Sequence, residues 1–288
     1  MQSKEIQEVK NVTPNFLAPG GIAKAIVGVG KAKTSLSVMQ MVILGILAGA
    51  FIGFGSELAT MVSFDMSKFL GVGFTKFIFG SVFSVGLILV VIAGAELFTG
   101  NSLIFVSVLS GDVKFGKLLN NWFWVYVANF IGSLLLVWIM YASGLWKTGD
   151  FGVGAKALAI ANGKVNLAWG AAFARAIGCN WLVCLAVWLA VASKDVVGKI
   201  FAIYFPIMAF VASGFEHSIA NMYFIPMGIL LKNNADVVAA AGLSGKLANL
   251  TWGGFFVDNL IPVTLGNIVG GALFVSALYW AVYLKDKK

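Results

Sequence analysis

The chain has one histidine, two cysteines and five prolines in 288 residues, and only 11% of it is charged. Each scarcity excludes something. Soluble domains are usually about 25% charged, so this chain lacks the polar coat of a water-facing fold. A lone histidine, His217, cannot supply a multi-histidine metal site or bis-histidine haem ligation. Cys179 and Cys184, five apart in one apolar segment, give no disulfide framework and no cluster motif, and read as small packing residues. No cofactor and no enzymatic activity are expected. The N-terminus, MQSKEIQEVKNVTPNFLAPGG, lacks the basic start and apolar core of a signal peptide, so no cleavage is expected.

What is abundant is apolar surface: 60% of the residues, with a mean hydropathy of +0.93. Several runs reach the roughly 20 apolar residues that span a bilayer, which makes this a polytopic membrane protein. The net charge of +8 then belongs to lysines flanking the spans and meeting lipid headgroups, not to nucleic acid. Six segments stand out, at roughly 37–56, 74–108, 118–143, 167–193, 198–231 and 253–284. The second and fifth are too long for simple spans, and each is interrupted, by GAELFTGN (94–101) and GFEHSIAN (214–221). Trp122, Trp124, Trp146, Trp169, Trp252 and Trp280 fall near segment ends, as in aromatic belts. Six spans place both termini on one side, with twelve lysines, among them Lys4, Lys10, Lys287 and Lys288, against seven on the other. The positive-inside rule puts that side in the cytoplasm of an inner-membrane protein.

The interruptions align with each other: Gly94, Glu96 and Asn101 match Gly214, Glu216 and Asn221 in a G-x-E-x4-N pattern. The third and sixth segments align too, NWFWVYVANFIGSLLLV (121–137) with NLIPVTLGNIVGGALFV (259–275), through N-x3-V-x3-N-x2-G-x2-L-x-V. A repeated unit of three spans must enter the second time from the opposite side. The expected fold is therefore all-α and integral to the membrane, with six transmembrane helices in an inverted three-helix repeat. The expected organisation is an N-terminal segment over 1–36 and a six-span channel domain over 37–284. Its repeats cover about 37–143 and 167–284, and a tail covers 285–288.

A helix broken at membrane depth is tolerated only in protein or beside a wet cavity. Glycine supplies the freedom to leave helical geometry, and the half-helix after the break aims N–H groups inward, which suits an anion. Two readings stay open for Glu96 and Glu216, pinning the breaks or acting on the pathway. His217, ionisable at a depth where charge costs about 2.5–3.5 kcal/mol, is a functional candidate against a plain satisfied histidine. Arg175 either snorkels to the interface or stands at a pore entrance. Asn180 and Asn267 either bridge helices or orient the broken loops.

GAELFTGN, CNWLVCLAVW, ASGFEHSIANM and DNLIPVTLGNIVGG, in that order, carry a specific resemblance. The chain resembles the formate/nitrite transporter family, which includes bacterial formate, nitrite and hydrosulfide channels, over nearly all of 37–284. The resemblance implies an aquaporin-like protomer with broken second and fifth helices, assembled as a homopentamer with a pore in each protomer. It places Thr99 opposite His217 and makes Phe83, Leu87, Phe98 and Phe210 apolar constrictions. Asn180 and Asn267 become polar partners of the breaks, and Glu216 holds the fifth. Lys164, on the loop before the fourth segment, draws anions to the outer vestibule. The implied cargo is a small monovalent anion of a weak acid: formate first, hydrosulfide or nitrite as alternatives, with possible proton coupling at His217. NFLAPGGIAKAIVGVGKAKTS looks like an amphipathic helix at the cytoplasmic interface, beside membrane lipids, and the resemblance adds gating of that mouth. Remoter rivals are a water or neutral-solute channel, whose paired NPA breaks are absent, and a cofactor-free subunit of a membrane enzyme.

Overall fold

The structure, a computed structural model, describes residues 15–285. Residues 1–14 and 286–288 lie outside the described residues. The expectations for Lys4, Lys10, Lys287 and Lys288, and for most of the tail, lie there with them. Among the described residues the regular elements are helices, apart from a single bridge between Phe16 and Ser193. In chain order they are α1 (Pro19–Thr34), α2 (Val38–Ser63), α3 (Ser67–Gly94), α4 (Gly100–Leu109), α5 (Phe115–Ser143), α6 (Gly152–Val165), α7 (Trp169–Ala192), α8 (Val196–Ala212), α9 (Ser218–Leu231), α10 (Ala235–Ala241) and α11 (Gly254–Tyr283).

Five of these, α2, α3, α5, α7 and α11, are long and apolar enough to cross a membrane. The remaining apolar helices come as shorter pieces. α3 and α4 are separated by the non-helical stretch 95–99, and α8 and α9 by 213–217. Helix ends follow local chemistry. α2 opens on a capping box, in which the Ser37 hydroxyl accepts from Gln40 N and the Gln40 side chain accepts from Ser37 N. α8 opens on Asp195, whose carboxylate accepts from Gly198 N at 2.7 Å.

Two boundaries differ from the hydropathy reading. α2 continues to Ser63 rather than stopping near 56, because Ser56, Thr60 and Ser63 each return their hydroxyl to a carbonyl one turn back. Glu57 in the same stretch accepts the Tyr223 hydroxyl at 2.5 Å, so polar residues that lower the local hydropathy are satisfied inside the helix. The region 144–166, read as a loop, contains α6, whose glycines, alanines and lysines have no long apolar run to mark them.

The tightest packing is α2 against α5 and α7 against α11. Between helices in lipid, association depends on close backbone approach rather than on hydrophobic burial. A Cβ on Gly132 would lie inside the carbonyl of Ile46, and one on Gly270 inside the carbonyl of Ile177. α9 is buried along all but one of its positions, so this half of the broken segment runs through the interior of the bundle. Gly132→Val and Gly270→Val should each push a helix pair apart at a cost of about 1–3 kcal/mol. Both should lower the thermal unfolding temperature of the detergent-solubilised protein. Unchanged unfolding in either variant would contradict the close packing described here.

Candidate functional site

Each break begins at a glycine that the chain needs for its turn: Gly94 has φ +90° and Gly214 φ +78°. Each turn frees backbone groups at membrane depth, and side chains answer them. In the first break Asn129 Nδ2 donates to the Glu96 carbonyl at 2.9 Å and to the Gly45 carbonyl at 2.8 Å, while its Oδ1 accepts from Phe98 N at 3.0 Å. In the second, Asn267 Nδ2 donates to the Glu216 and Ala176 carbonyls, both at 2.9 Å, and its Oδ1 accepts from Ser218 N at 2.9 Å. The peptide N–H of each glutamate also finds a neighbouring helix: Glu96 N donates to Leu44 O at 3.2 Å, Glu216 N to Arg175 O at 3.4 Å.

The glutamate side chains close two matching rings. Glu96 accepts from Lys33 Nζ at 2.6 Å and Asn101 Nδ2 at 2.7 Å, and Asn101 Nδ2 also reaches Asn121 Oδ1 at 2.8 Å. Asn121 Nδ2 returns to the Lys33 carbonyl at 3.4 Å. Glu216 accepts from Lys164 Nζ, 3.0 Å from both carboxylate oxygens, and from Asn221 Nδ2 at 2.7 Å. Asn221 Nδ2 reaches Asn259 Oδ1 at 2.7 Å, and Asn259 Nδ2 returns to the Lys164 carbonyl at 3.0 Å. In both rings the amide oxygen of the central asparagine, Asn101 or Asn221, is buried with no protein partner among the described residues. Such an acceptor costs about 1–3 kcal/mol while nothing donates to it.

A cavity opens beside each ring. One of about 480 Å³ is lined by Lys33, Glu96, Asn101, Leu87, Leu97 and Val90 among others. The other, about 130 Å³, is lined by Lys164, Glu216, His217, Phe83, Phe210 and Phe224 among others. Between the two breaks His217 Nε2 and Thr99 Oγ1 are 2.9 Å apart, both residues buried. His217 is also the N-cap of α9: its Nδ1 accepts from Ala220 N at 3.1 Å. A neutral ring in this geometry carries its proton on Nε2 and donates it to Thr99. The Phe210 ring stacks on His217 at 5.9 Å and meets Phe83 edge-on at 5.9 Å. Asn180 Nδ2 holds the break from α7, within 3.2 Å of the Thr99 carbonyl, 3.2 Å of Ser102 Oγ and 2.6 Å of the Asn267 carbonyl.

Most residues singled out in the sequence therefore converge. His217, Thr99, Glu216, Lys164, Asn180 and Asn267 form one connected cluster, with Phe83 and Phe210 on one side of it and Leu87 on the other. Lys164 stands on the last turn of α6, not on a loop. Phe98 stands apart: its ring packs edge-on against Tyr126 at 4.7 Å and Trp122 at 5.8 Å, in an apolar crevice between α5 and α11. Arg175 is exposed and enters the break only through its carbonyl. Of the tryptophans placed in the aromatic belt, Trp122 and Trp146 are tied inward, donating to the Asn101 and Tyr141 carbonyls. Lys33 and Leu97 were not singled out as site residues. The signal for Lys33 is three-dimensional, its pairing with Glu96, while Asn121, Asn129 and Asn259 were visible as repeated asparagines without an assigned task.

Known proteins are similar to this chain in sequence and fold. The sequence profile described as Formate/nitrite transporter matches residues 20–281. A protein of Methanothermobacter thermautotrophicus named "Probable formate transporter" is 46% identical over 287 residues, covering 94% of this chain and 99% of that one. The "Formate channel FocA" of Escherichia coli (strain K12) is 38% identical over 275 residues, covering 94% and 96%. Among solved structures, a "Pentameric formate channel with formate bound" superposes with a TM-score of 0.77 at 40% identity, covering 86% of this chain and 98% of that chain. The chain is a multi-pass membrane protein and belongs to the formate/nitrite transporter family of channels and transporters.

Proposed function

We propose that this protein passes formate across the cytoplasmic membrane through a pore in each protomer of a homopentamer, and that the anion crosses the centre as the neutral acid. The names of its relatives support the substrate and the assembly. The observation that carries the mechanism is the Thr99–His217 hydrogen bond, set between two lysine-bearing cavities and flanked by apolar rings. The six crossings are α2, α3 with α4, α5, α7, α8 with α9, and α11. Their halves form an inverted repeat, which the two matching asparagine–glutamate–lysine rings support. The repeat extends to α1 and α6, which supply Lys33 and Lys164. Both termini face the cytoplasm, so the Lys33 cavity is the inner vestibule and the Lys164 cavity the outer.

In each vestibule an ammonium offers hydrogen bonds to a carboxylate, but a glutamate already balances its charge. Formate is thus held weakly enough to leave, as conduction requires. Beyond the ammonium lie Leu87 and Leu97 on the inner side, Phe83 and Phe210 on the outer. A bare anion loses its hydration there with nothing to replace it, a penalty the neutral acid escapes. His217 acts as a fixed donor rather than a proton carrier. An imidazolium needs a proton on Nδ1, and that proton would displace Ala220 N–H and uncap α9. The neutral ring donates Nε2–H to Thr99, which leaves the Thr99 hydroxyl proton free for the substrate. The proton that neutralises formate then comes from vestibule water.

Two variants separate these roles. His217→Asn keeps an N-cap acceptor and an N–H donor without titrating; His217→Phe removes both. The asparagine variant should retain formate flux into proteoliposomes with the wild-type pH profile, while phenylalanine should lose about tenfold to a hundredfold, the worth of a strong hydrogen bond. Equal loss in both would show that a titrating ring is required. Glu216→Ala should cost about 3 kcal/mol by leaving Lys164 buried without its partner. That cost should appear as a lower unfolding temperature with the order of formate, nitrite and hydrosulfide fluxes preserved. A stable protein with a changed order would make Glu216 a selectivity residue instead.

A further inference from the structure

The lysine that faces each vestibule belongs to a stripe of residues one turn apart. On α1 the stripe is Ala25, Val29 and Lys33; on α6 it is Lys156, Ile160 and Lys164. Val29 and Lys33 line one cavity, and Ile160 and Lys164 line the other. The stripes match in position and in side-chain class except at their far ends, where alanine stands on α1 and lysine on α6. Lys24, beside Ala25, lies about 100° round the helix from the stripe.

Charge bookkeeping separates Lys156 from the other lysines of these two helices that face a carboxylate. Lys33 is balanced by Glu96, Lys31 by Asp112 and Lys164 by Glu216. Lys156 has no hydrogen bond or ion pair to any described residue. It is nonetheless only partly exposed, and burial, with no carboxylate to offset it, holds its pKa below the ordinary lysine value. Beside the cavity, Lys164 is balanced by Glu216, and one uncompensated cation, Lys156, stands outside the cavity lining about 12 Å farther along the same helix, eight residues at 1.5 Å each. Among the described residues, the stripe that ends at Lys33 has no equivalent cation, because Ala25 stands in that place.

We propose that Lys156, and not Lys164, is the anion-recruiting residue of the outer mouth: a docking station for small monovalent anions that raises their capture rate from that side. This rests on the functional reading above and deepens it. A fixed cation at the mouth of a low-dielectric passage concentrates anions there and speeds their entry, and salt abolishes the effect. Since, among the described residues, the station stands on the Lys164 side alone, capture at low anion concentration is faster from that side than from the Lys33 side.

The test measures initial formate uptake into proteoliposomes for wild type, Lys156→Gln, Lys156→Arg and Lys147→Gln, the last removing an exposed lysine of the same face that stacks on Trp146. At low ionic strength and formate below saturation, K156Q should fall about tenfold, the lower end of steering effects. K156R and K147Q should match wild type. At about 1 M salt, where the screening length is about 3 Å, all four should converge. The maximal rate at saturating formate should be unchanged in K156Q, which a folding defect would not allow. A K156Q rate equal to wild type at low salt overturns the proposal, as does a loss that persists in high salt or appears equally in K147Q. If wild type carries nitrite or hydrosulfide but not formate, the substrate reading falls, and the same four proteins decide the role of Lys156 with the anion that is carried. A wild type inert to all three anions overturns both.

Discussion

Backbone opened inside a membrane has to be answered by the protein, and here asparagine answers it. Asn129 and Asn267 each use one side-chain amide to satisfy carbonyls and an N–H around a glycine turn. An unpaired peptide group in hydrocarbon costs several kcal/mol, so without these amides the breaks would be destabilised by their open carbonyls and N–H groups. The glutamates depend on that framework. Held by their own peptide bonds, Glu96 and Glu216 can each turn a carboxylate toward a lysine and a second asparagine.

The two halves are alike in what holds the breaks and unlike in what lies between them. Lys33, Glu96, Asn101, Asn121 and Asn129 have counterparts in Lys164, Glu216, Asn221, Asn259 and Asn267, bond for bond. At the centre the likeness fails. His217 stands where the first half has Leu97, Thr99 where the second has Ile219, and Asn180 where α2 has Gly49. Structural demands repeat because both halves must brace a broken helix. The central residues do not repeat, and under the proposed mechanism one donor pair at one point is all that the substrate needs.

Much of this was legible in the sequence, for identifiable reasons. The breaks announce themselves as glycine, glutamate and asparagine inside apolar runs, and the repeated asparagines of the third and sixth segments mark the bracing residues before their bonds are seen. His217 is conspicuous by rarity. What could not be read is what depends on spacing through space. Lys33 looked like one of many flanking lysines until α1 brought it 2.6 Å from Glu96. α6 has no apolar run to reveal it, so Lys164 reads from sequence as a loop residue. Phe98 sits within the break, yet its ring packs on Trp122 and Tyr126 instead of lining either cavity.

The central claim is that the anion crosses between the two braced breaks as a neutral acid, with its proton taken from water. The most direct measurement is uptake of formate and of chloride by proteoliposomes, with internal pH recorded at the same time. The account predicts that formate enters with one proton per anion, acidifying the lumen, and that chloride, the anion of a strong acid, is excluded. Chloride entering as fast as formate, with no change in internal pH, would contradict it.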